Sequence, residues 1–315
     1  MFRPVRVIDI ELSQPLTAIE GLERYETVKA LVRLHGSPLG YVILPIHNGR
    51  CLATVMSQAV LDQLNWPILQ HLLDDGLAAP PPSGLHIEDL VKAPHATFSG
   101  PFPLVTVAIC TRDRAADLAL CLEALTRLDY PALDLLVVDN APTTEATEQL
   151  VRTRYPQARY VCEPRPGLDW ARNRAILETR GEIIAYTDDD VVVDAGWVKA
   201  IAQVFVENPA VMAVTGLVAP YELETEAQIL FEQYGGFGRG FQRREVTINP
   251  NDRERWRYYG TGQFGTGANM AYRRSVFAQL GLFDPALDVG TVTNGGGDLE
   301  MYFRVLAEGH TLVYE

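Results

Sequence analysis

Positive charge is scarce in this 315-residue chain. Its 27 lysines and arginines face 40 aspartates and glutamates, which gives a net charge of −13 at pH 7. Nonspecific binding to nucleic acid needs a basic surface, so the charge balance argues against a nucleic-acid-binding protein. An anionic substrate would have to be held by a few well-placed arginines and a metal ion, because no general positive field is available.

Cysteine is scarce as well. The chain has four cysteines, and no two of them form a CxxC pair. A cysteine-bound zinc ion is therefore not expected, and three of the four lie in or beside apolar runs, as reduced and buried thiols do. His35, His47 and His71 are isolated in the sequence. We interpret them as structural or exposed side chains rather than as metal ligands.

Long apolar runs are also missing. No run of 18 apolar residues occurs, so no transmembrane segment is expected. Residues 1–6 lead directly into an alternating apolar and polar pattern, without the apolar core of a signal peptide. We therefore expect a cytoplasmic protein and leave peripheral contact with a membrane open.

The composition changes along the chain and predicts three parts. Residues 1–78 predict a small α+β domain of unknown role, with three strands and a helix that Pro67 kinks or splits. Residues 79–102 are rich in proline and glycine and predict a linker. Residues 103–315 predict the catalytic domain.

The fold class follows from the pattern after residue 103. Apolar, β-rich runs at 104–110, 133–139, 158–162 and 182–187 predict strands, and the amphipathic stretches between them predict helices. Strand and helix alternating in this way predict right-handed βαβ units. We therefore expect an α/β, Rossmann-like domain with a mainly parallel sheet and helices on both faces. Ligands of such sheets bind at the carboxyl ends of the strands.

Residues 220–262 lose this regular periodicity. They combine aromatic rings with arginines, and the last of these are Arg253, Trp256, Tyr258 and Tyr259. Long irregular stretches in compact enzymes are usually lids or binding loops, and we expect one here. A nucleic-acid surface is the alternative, which the acidic net charge disfavours.

Polar residues follow the predicted strands. Asp188, Asp189 and Asp190 stand between two apolar runs, and three like charges there are costly unless a cation neutralises them. Acidic oxygens at a strand end suit Mg²⁺ or Mn²⁺, and a solvated acidic turn is the alternative. Asp139, at the end of the second strand, could share the same small-molecule site, or it could cap a helix or form a turn.

Two further side chains are candidates. Arg172 falls on the apolar face of a helix predicted over 167–179, and a buried guanidinium must be paired, with an aspartate or with a phosphate. Asp298 follows three glycines and starts a helix, so it is either a helix cap or a functional carboxylate. Residues 265–274 combine glycines with the start of a helix, which indicates either close approach to a phosphate or sugar or a plain tight turn.

Taken in order, these segments resemble the family 2 glycosyltransferases of the GT-A fold. The resemblance covers residues 103–315 and rests on five motifs, each weak alone and specific in this order and spacing. They are Val107-Ala108-Ile109-Cys110-Thr111-Arg112-Asp113, Val137-Val138-Asp139-Asn140, Ala171-Arg172-Asn173 before Gly181-Glu182-Ile183-Ile184, Asp188-Asp189-Asp190, and Gly297-Asp298-Leu299-Glu300.

The resemblance implies an inverting transferase that moves a sugar from a UDP-, GDP- or dTDP-sugar to an acceptor hydroxyl. The acceptor would be a glycan, a lipid-linked molecule or a small molecule. Asp190 is similar to the metal ligand of the family's DXD motif, for Mg²⁺ or Mn²⁺, and Asp298 matches its general base. The residues implied to bind the nucleotide sugar are Thr111, Arg112, Asp139, Arg172, Asp188 and Asp189, of which Asp139 holds the base and Asp188 lies near the ribose.

The chain departs from the family pattern in three places. Cys110-Thr111-Arg112-Asp113 stands where many members have Pro-Thr-Tyr-Asn, so a stacking tyrosine is lost. Gly297 stands where the family usually has glutamate. Members commonly continue beyond the position of Glu315, so we expect elements of the acceptor side to be missing.

Two other functions remain open at this point. A sugar nucleotidyltransferase would use a similar parallel sheet, but it usually has a glycine-rich loop after the first strand, and residues 111–114 contain no glycine. A catalytically silent nucleotide-binding module is the third possibility. The presence of both Asp190 and Asp298 argues against it.

Overall fold

The computed structural model describes residues 2–76, 84–248, 260–288 and 291–315. The chain forms two compact units, one of Met1–Thr97 with Ala219–Phe241 and one of Phe98–Val218 with Gln242–Glu315. This division differs from the boundaries predicted from the sequence. The start of the irregular stretch, which we had assigned to the catalytic domain, belongs to the first unit.

The first unit contains a three-stranded sheet. It consists of β1 (Val5–Glu11), β2 (Thr27–Leu34) and β3 (Ser37–Pro45), with β1 parallel and β3 antiparallel to the central β2. The chain reverses between β2 and β3 at His35 and Gly36, which have positive φ angles of 54° and 82°. The three strands and the tight turn predicted from the sequence are confirmed.

Helix α1 (Ala53–Asp74) covers this sheet and is followed by the short α2 (Ile87–Leu90). Pro67 does not split α1, because the helix runs through it, and the alternative of a kink at Pro67 stays a prediction. Its buried residues recur every fourth position on both sides of the proline: Met56, Val60, Leu64, Ile68 and Leu72. This continuous apolar contact offsets the single backbone hydrogen bond that proline removes.

In the second unit, strands and helices alternate as predicted. They are β4 (Val105–Thr111), α3 (Ala115–Leu125), β5 (Leu133–Asn140), α4 (Ala146–Arg154), β6 (Arg159–Glu163), α5 (Leu168–Glu178), β7 (Ile183–Asp188), α6 (Trp197–Glu207) and β8 (Val211–Thr215).

The stretch predicted to be irregular contains two regular elements. Helix α7 (Glu226–Gln233) begins with a capping box, in which the side chains of Thr225 and Gln228 each accept a hydrogen bond from the other's backbone amide. Strand β9 is Arg244–Thr247. The expectation of a wholly irregular lid is therefore wrong for these residues, while Arg253, Trp256, Tyr258 and Tyr259 lie outside the described part of the chain.

The rest of the second unit completes the sheet with β10 (Asn269–Arg273), α8 (Val276–Leu280), α9 (Gly297–Ala307) and β11 (Thr311–Tyr314). The order across the eight described strands is β6-β5-β4-β7-β10-β8-β11-β9. Strands β10 and β9 run antiparallel to their neighbours, and the other neighbouring pairs are parallel. The mainly parallel α/β sheet is confirmed. The helix predicted after the glycine-rich stretch is present as α8, but the strand β10 that precedes it was not predicted from the sequence.

Alternate residues of the central strands pack into different apolar layers. Val107 and Ile109 join a layer on one face of the sheet, and Ala108 joins the layer on the other. Both layers are built from fully buried side chains, which explains why these strands appear in the sequence as continuous apolar runs. No helix in the described residues is long and apolar enough to cross a bilayer.

The polar side chain of Thr106, in β4, lies fully buried within this sheet. Its hydroxyl donates to Asp134 at 2.8 Å and accepts from the amides of Gly181 and Arg180 at 2.9 and 3.1 Å. The hydroxyl therefore holds the start of β7 beside β4.

Replacing Thr106 by valine keeps the shape but leaves two amides and a carboxylate without this partner. We expect Thr106→Val to lower the free energy of unfolding by about 2–3 kcal/mol, because each unsatisfied buried group costs about 1–3 kcal/mol. Thr106→Ser keeps the hydroxyl, loses one methyl group and should cost only about 1 kcal/mol. Urea denaturation compares the two variants, and equal losses would contradict this role of the hydroxyl.

Candidate functional site

The acidic triplet begins at the carboxyl end of β7, on the same edge of the sheet as the ends of the parallel strands β4 and β5. Strand register places Asp188 of β7 beside Cys110 of β4, and Thr111 of β4 beside Asp139 of β5. Three strands therefore deliver polar side chains to one edge of the sheet, where ligands of such folds bind. The structure brings together the predicted strand-end residues by backbone pairing alone.

Asp189 is held from two sides by the chain itself. The Thr111 hydroxyl donates to its Oδ2 at 2.6 Å, and Arg114 Nη1 contacts its Oδ1 at 2.7 Å. The Asp189 side chain is only 5% exposed. Both of its oxygens already have partners, so a direct contact between Asp189 and a nucleotide sugar stays a prediction.

Asp190 differs from Asp189 in its exposure. Its side chain is 52% exposed, and its Oδ2 lies 2.9 Å from Arg114 Nη2. Burial raises the pKa of Asp188, Arg172 opposes this rise, and the neighbouring charges of Asp190 and Asp189 add to it. The strand end therefore carries more negative charge than its surroundings compensate. The carboxylates of Asp188 and Asp190 are the donor type that Mg²⁺ and Mn²⁺ prefer, so these residues fit a divalent cation.

Arg172 of α5 is buried and paired, as its position on the apolar face predicted. Its Nη1 lies 3.0 Å from Oδ1 of Asp169, one helical turn earlier, and Asp169 is 1% exposed. Burial acts to lower the pKa of Arg172, but the charges of Asp169 and Asp298 outweigh it and raise this pKa. A structural ion pair between Arg172 and an aspartate is therefore present, and the negative charge of Asp298 also stabilises the charged guanidinium.

Asp298 lies in the first turn of α9. Its Oδ2 accepts a hydrogen bond from the Gly267 amide at 2.7 Å, and its Oδ1 accepts one from the Leu299 amide at 2.9 Å. These two bonds fix the orientation of a half-buried carboxylate. Gly267 belongs to the glycine-rich stretch of residues 265–274, which here approaches the carboxylate of Asp298. Its approach to a phosphate or sugar stays a prediction.

Two glycines leave room for these charged groups. A Cβ atom at Gly267 would overlap Arg172 Nη2 and crowd Oδ2 of Asp298. A Cβ atom at Gly297 would overlap Oδ2 of Asp169. The glycine that stands where the family usually has glutamate therefore has a local reason, because the buried Asp169 occupies the space a side chain would need.

Asp139 is fully buried at the end of β5. The Tyr160 hydroxyl donates to its Oδ2 at 2.9 Å, while its Oδ1 has no hydrogen-bond partner among the described residues. Burial raises the pKa of Asp139, Tyr160 opposes this rise, and the charges of Asp113 and Glu148 add to it. Arg112, predicted for the same pocket, is exposed and makes no hydrogen bond or ion pair within the described part of the chain.

Sequence reasoning missed Arg114, Asp169, Tyr160 and Asp288. Asp288 is buried and accepts a hydrogen bond from the Asp169 amide at 2.8 Å. Two of the four had a readable signal. Asp169 stands three positions before Arg172 on a helix, a spacing that pairs side chains, and Arg114 begins the helix that follows a strand end. Tyr160 and Asp288 are brought in by tertiary packing.

A mainly parallel sheet with carboxylates at neighbouring strand ends, facing a further carboxylate on a helix after an antiparallel strand, defines a GT-A glycosyltransferase domain. The model of glycosyl transferase family 2 matches residues 106–281, and the chain belongs to that family. The family resemblance and the GT-A fold predicted from the sequence are both confirmed.

Individual relatives are distant. The chain is 21% identical over 188 residues to a glucosyl-dolichyl phosphate glucuronosyltransferase of Haloferax volcanii. This match covers 57% of this chain and 56% of that protein. The chain thus spans about half the length of this curated relative. Residues 1–349 of S. aureus TarS match with a TM-score of 0.50 and 14% identity over 67% of this chain and 58% of that one, which shows the fold. A mannosyltransferase of Pyrobaculum calidifontis, solved with GDP-Man and Mn²⁺, matches with a TM-score of 0.47 and 20% identity, over 70% of this chain and 59% of that one.

The two buried strand aspartates, Asp139 and Asp134, should respond oppositely to neutralisation. The raised pKa of Asp139 means that its ionised form disfavours folding above that pKa. Burial also acts to raise the pKa of Asp134, but hydrogen bonds from Arg159 and Thr106 outweigh it and lower this pKa. Ionised Asp134 therefore favours folding, and that contribution is lost as pH falls through its folded-state pKa.

We expect Asp139→Asn to raise the free energy of unfolding at neutral pH by about 1 kcal/mol and Asp134→Asn to lower it by about 1 kcal/mol or more. The Asp139→Asn difference should shrink towards about pH 3, where Asp139 is protonated, whereas the Asp134→Asn difference should persist to lower pH, because the lowered pKa of Asp134 keeps its carboxylate ionised there. Urea denaturation of the three proteins at both pH values measures them. A loss of stability in Asp139→Asn equal to that in Asp134→Asn would show that Asp139 serves the fold rather than a ligand.

Proposed function

We propose that this domain is an inverting glycosyltransferase that moves a sugar from a nucleotide-diphosphate-sugar to an acceptor hydroxyl, assisted by Mg²⁺ or Mn²⁺. The observation that carries the proposal is the electrostatic grouping around Arg172. Gly267 packs against both the Arg172 guanidinium and the Asp298 carboxylate, to which its amide donates, and the charges of Asp298 and Asp188 both raise the pKa of Arg172. Donor side and acceptor side therefore meet in one place.

The donor base is assigned to the pocket at the end of β5. The unpartnered Oδ1 of Asp139 is a buried acceptor, and a nucleobase N–H would satisfy it. Thr111 and Arg112 lie at the neighbouring strand end, with exposed Arg112 available to a ligand. Because no tyrosine stands at this position, recognition depends on hydrogen bonds rather than on ring stacking. This leaves UDP-, GDP- and dTDP-sugars open as donors.

Asp190, the expected metal ligand, would hold the cation, and we assign Asp188, which was expected near the ribose, as a second oxygen ligand beside it. When bound there, a divalent ion supplies stabilisation of the negative charge that develops on the leaving diphosphate. Arg114 would help to position the acidic triplet, since its guanidinium contacts both Asp189 and Asp190. The buried charge of Arg172 is a second positive group for the diphosphate.

Asp298 is assigned as the general base. Its two amide hydrogen bonds leave a further lone pair on each oxygen, so it can accept the proton of an acceptor hydroxyl. The acceptor oxygen bonds to the anomeric carbon on the face opposite the diphosphate, and the bond from that carbon to the diphosphate oxygen breaks. The proton ends on Asp298, and the configuration of the sugar inverts.

The acceptor is a glycan, a lipid-linked molecule or a small molecule. The name of the Haloferax volcanii relative, a glucosyl-dolichyl phosphate glucuronosyltransferase, favours a lipid-linked sugar among these. Such an acceptor would fit a cytoplasmic enzyme in peripheral contact with a membrane. Family membership disfavours the sugar nucleotidyltransferase considered above.

The role of Asp298 predicts a separation of binding from transfer. Asp298→Asn should keep the affinity for nucleotide while lowering the transfer rate about 100- to 10,000-fold, since only proton removal is lost. Glu300→Gln is the matched control on the same helix, because Glu300 pairs with Arg304 and is outside the site. Product formation and calorimetric nucleotide titration measure the two quantities. Near-full transfer by Asp298→Asn would exclude it as the base.

The role of Asp190 predicts a metal-dependent loss of donor binding. Asp190→Ala should abolish the gain in nucleotide affinity that Mn²⁺ gives the parent protein, because one of its two carboxylate ligands is removed. Asp194→Ala, an exposed aspartate that bonds the Gly196 amide, is the control. Isothermal titration with UDP, GDP and dTDP, with and without Mn²⁺, makes the comparison. An Asp190→Ala titration that matches the control would remove Asp190 from the metal site.

A further inference from the structure

A second group of possible metal ligands lies within the first unit. We call it the His–Asp cluster: His35, His71, Asp75 and His95. His35 comes from the turn between β2 and β3, His71 and Asp75 from the C-terminal end of α1, and His95 from the segment after α2. His35 and His71 are isolated in the sequence, and folding brings them together.

The four side chains converge on one point. His35 Nδ1 and His71 Nε2 lie 3.0 and 3.1 Å from the same atom, Oδ2 of Asp75, and 3.0 Å from each other. His95 Nδ1 lies 2.8 and 2.9 Å from the two oxygens of Asp75. One ligand atom from each of the four residues can be chosen so that all lie within 4.8 Å of one another.

These separations are close to those of a tetrahedral metal site. Bonds of about 2.0–2.1 Å to Zn²⁺ put neighbouring ligand atoms about 3.3 Å apart. The distances of 2.8 to 3.1 Å given above are slightly shorter, and the other pairs of ligand atoms lie within 4.8 Å. Hydrogen bonding accounts for them poorly, because a single N–H of His35 faces both a ring nitrogen and a carboxylate oxygen. Protonating all three rings would crowd three positive charges around one carboxylate, with ring centroids 4.5 to 5.9 Å apart.

The local sequence supports a role beyond folding. His71 and Asp75 are four residues apart, so α1 presents both on one face. His35 has a φ angle of 54° in a tight turn, a conformation that histidine, asparagine and aspartate adopt more often than other non-glycine residues. Histidine is therefore compatible with the turn, and its ring lies beside His71 and Asp75.

We propose that the His–Asp cluster binds one Zn²⁺ ion. Three imidazoles and one carboxylate fill all four tetrahedral positions with protein ligands, which is typical of structural rather than catalytic zinc. The ion would hold together the β2–β3 turn, the end of α1 and the segment after α2. Its donor set is rich in nitrogen, unlike the all-oxygen set of Asp188 and Asp190, so the two sites would select different metals.

Zinc titration of the full-length chain tests the proposal. After removal of metal with a chelator, competition against a chromogenic zinc chelator should show one tightly bound equivalent of Zn²⁺. His95→Gln and Asp75→Ala should each weaken it by on the order of 100-fold or more, since losing a ligand costs at least as much as losing its outer support. His86→Gln, an exposed histidine near the cluster in sequence, and Asp190→Ala at the strand end should retain the equivalent.

Two further measurements make the result decisive. Co²⁺ in place of Zn²⁺ should give the visible absorption of a tetrahedral site in the parent chain and lose it in His95→Gln. Zn²⁺ should also raise the melting temperature of the parent chain but not of that variant. His95 lies outside any helix or strand, so this variant should keep the circular dichroism of the parent. Absence of a tight equivalent, or retention of it by His95→Gln, would overturn the proposal.

Discussion

The buried charge of Arg172 is the constraint on which the candidate site depends. A guanidinium inside an apolar layer needs carboxylates close by, and these are supplied by Asp169 of α5 and Asp298 of α9. Asp169 lies on the same helix as Arg172, whereas Asp298 comes from α9, so the second carboxylate reaches Arg172 only where α5 and α9 pack in the folded unit. The carboxylate assigned to catalysis therefore also belongs to the electrostatics that hold the fold.

Negative charge is distributed unevenly over this site. Asp189 has a partner on each oxygen, Asp190 has one and is half exposed, and Asp139 keeps one oxygen without a partner in the described part of the chain. Folding alone would favour full pairing, since unsatisfied buried groups are costly. The incomplete pairing at Asp139 and Asp190 supports the proposal that these two carboxylates belong to a ligand site.

The sequence predicted the parts of the fold that rest on periodicity. Strands β4, β5 and β7 are buried on both faces and appear as long apolar runs, whereas β10 and β11 have only five and four residues and were missed. Helix α7 has no buried residue, so it carried no amphipathic signal, and only its capping box was local. Asp139, Arg172 and Asp298 could be chosen as candidates, but the partners of Arg172 and the His–Asp cluster depend on contacts between distant segments.

Gly267 and Gly297 show that a site is specified by empty volume as well as by charge. Each lies where a single methyl group would collide with a charged atom of Arg172 or Asp169. A search pattern that counts only carboxylates would accept alanine at either position, yet the guanidinium would then have to move. Alanine at either position would therefore force the end of the Arg172 or Asp169 side chain to shift, so these two glycines help to fix where the charged atoms lie.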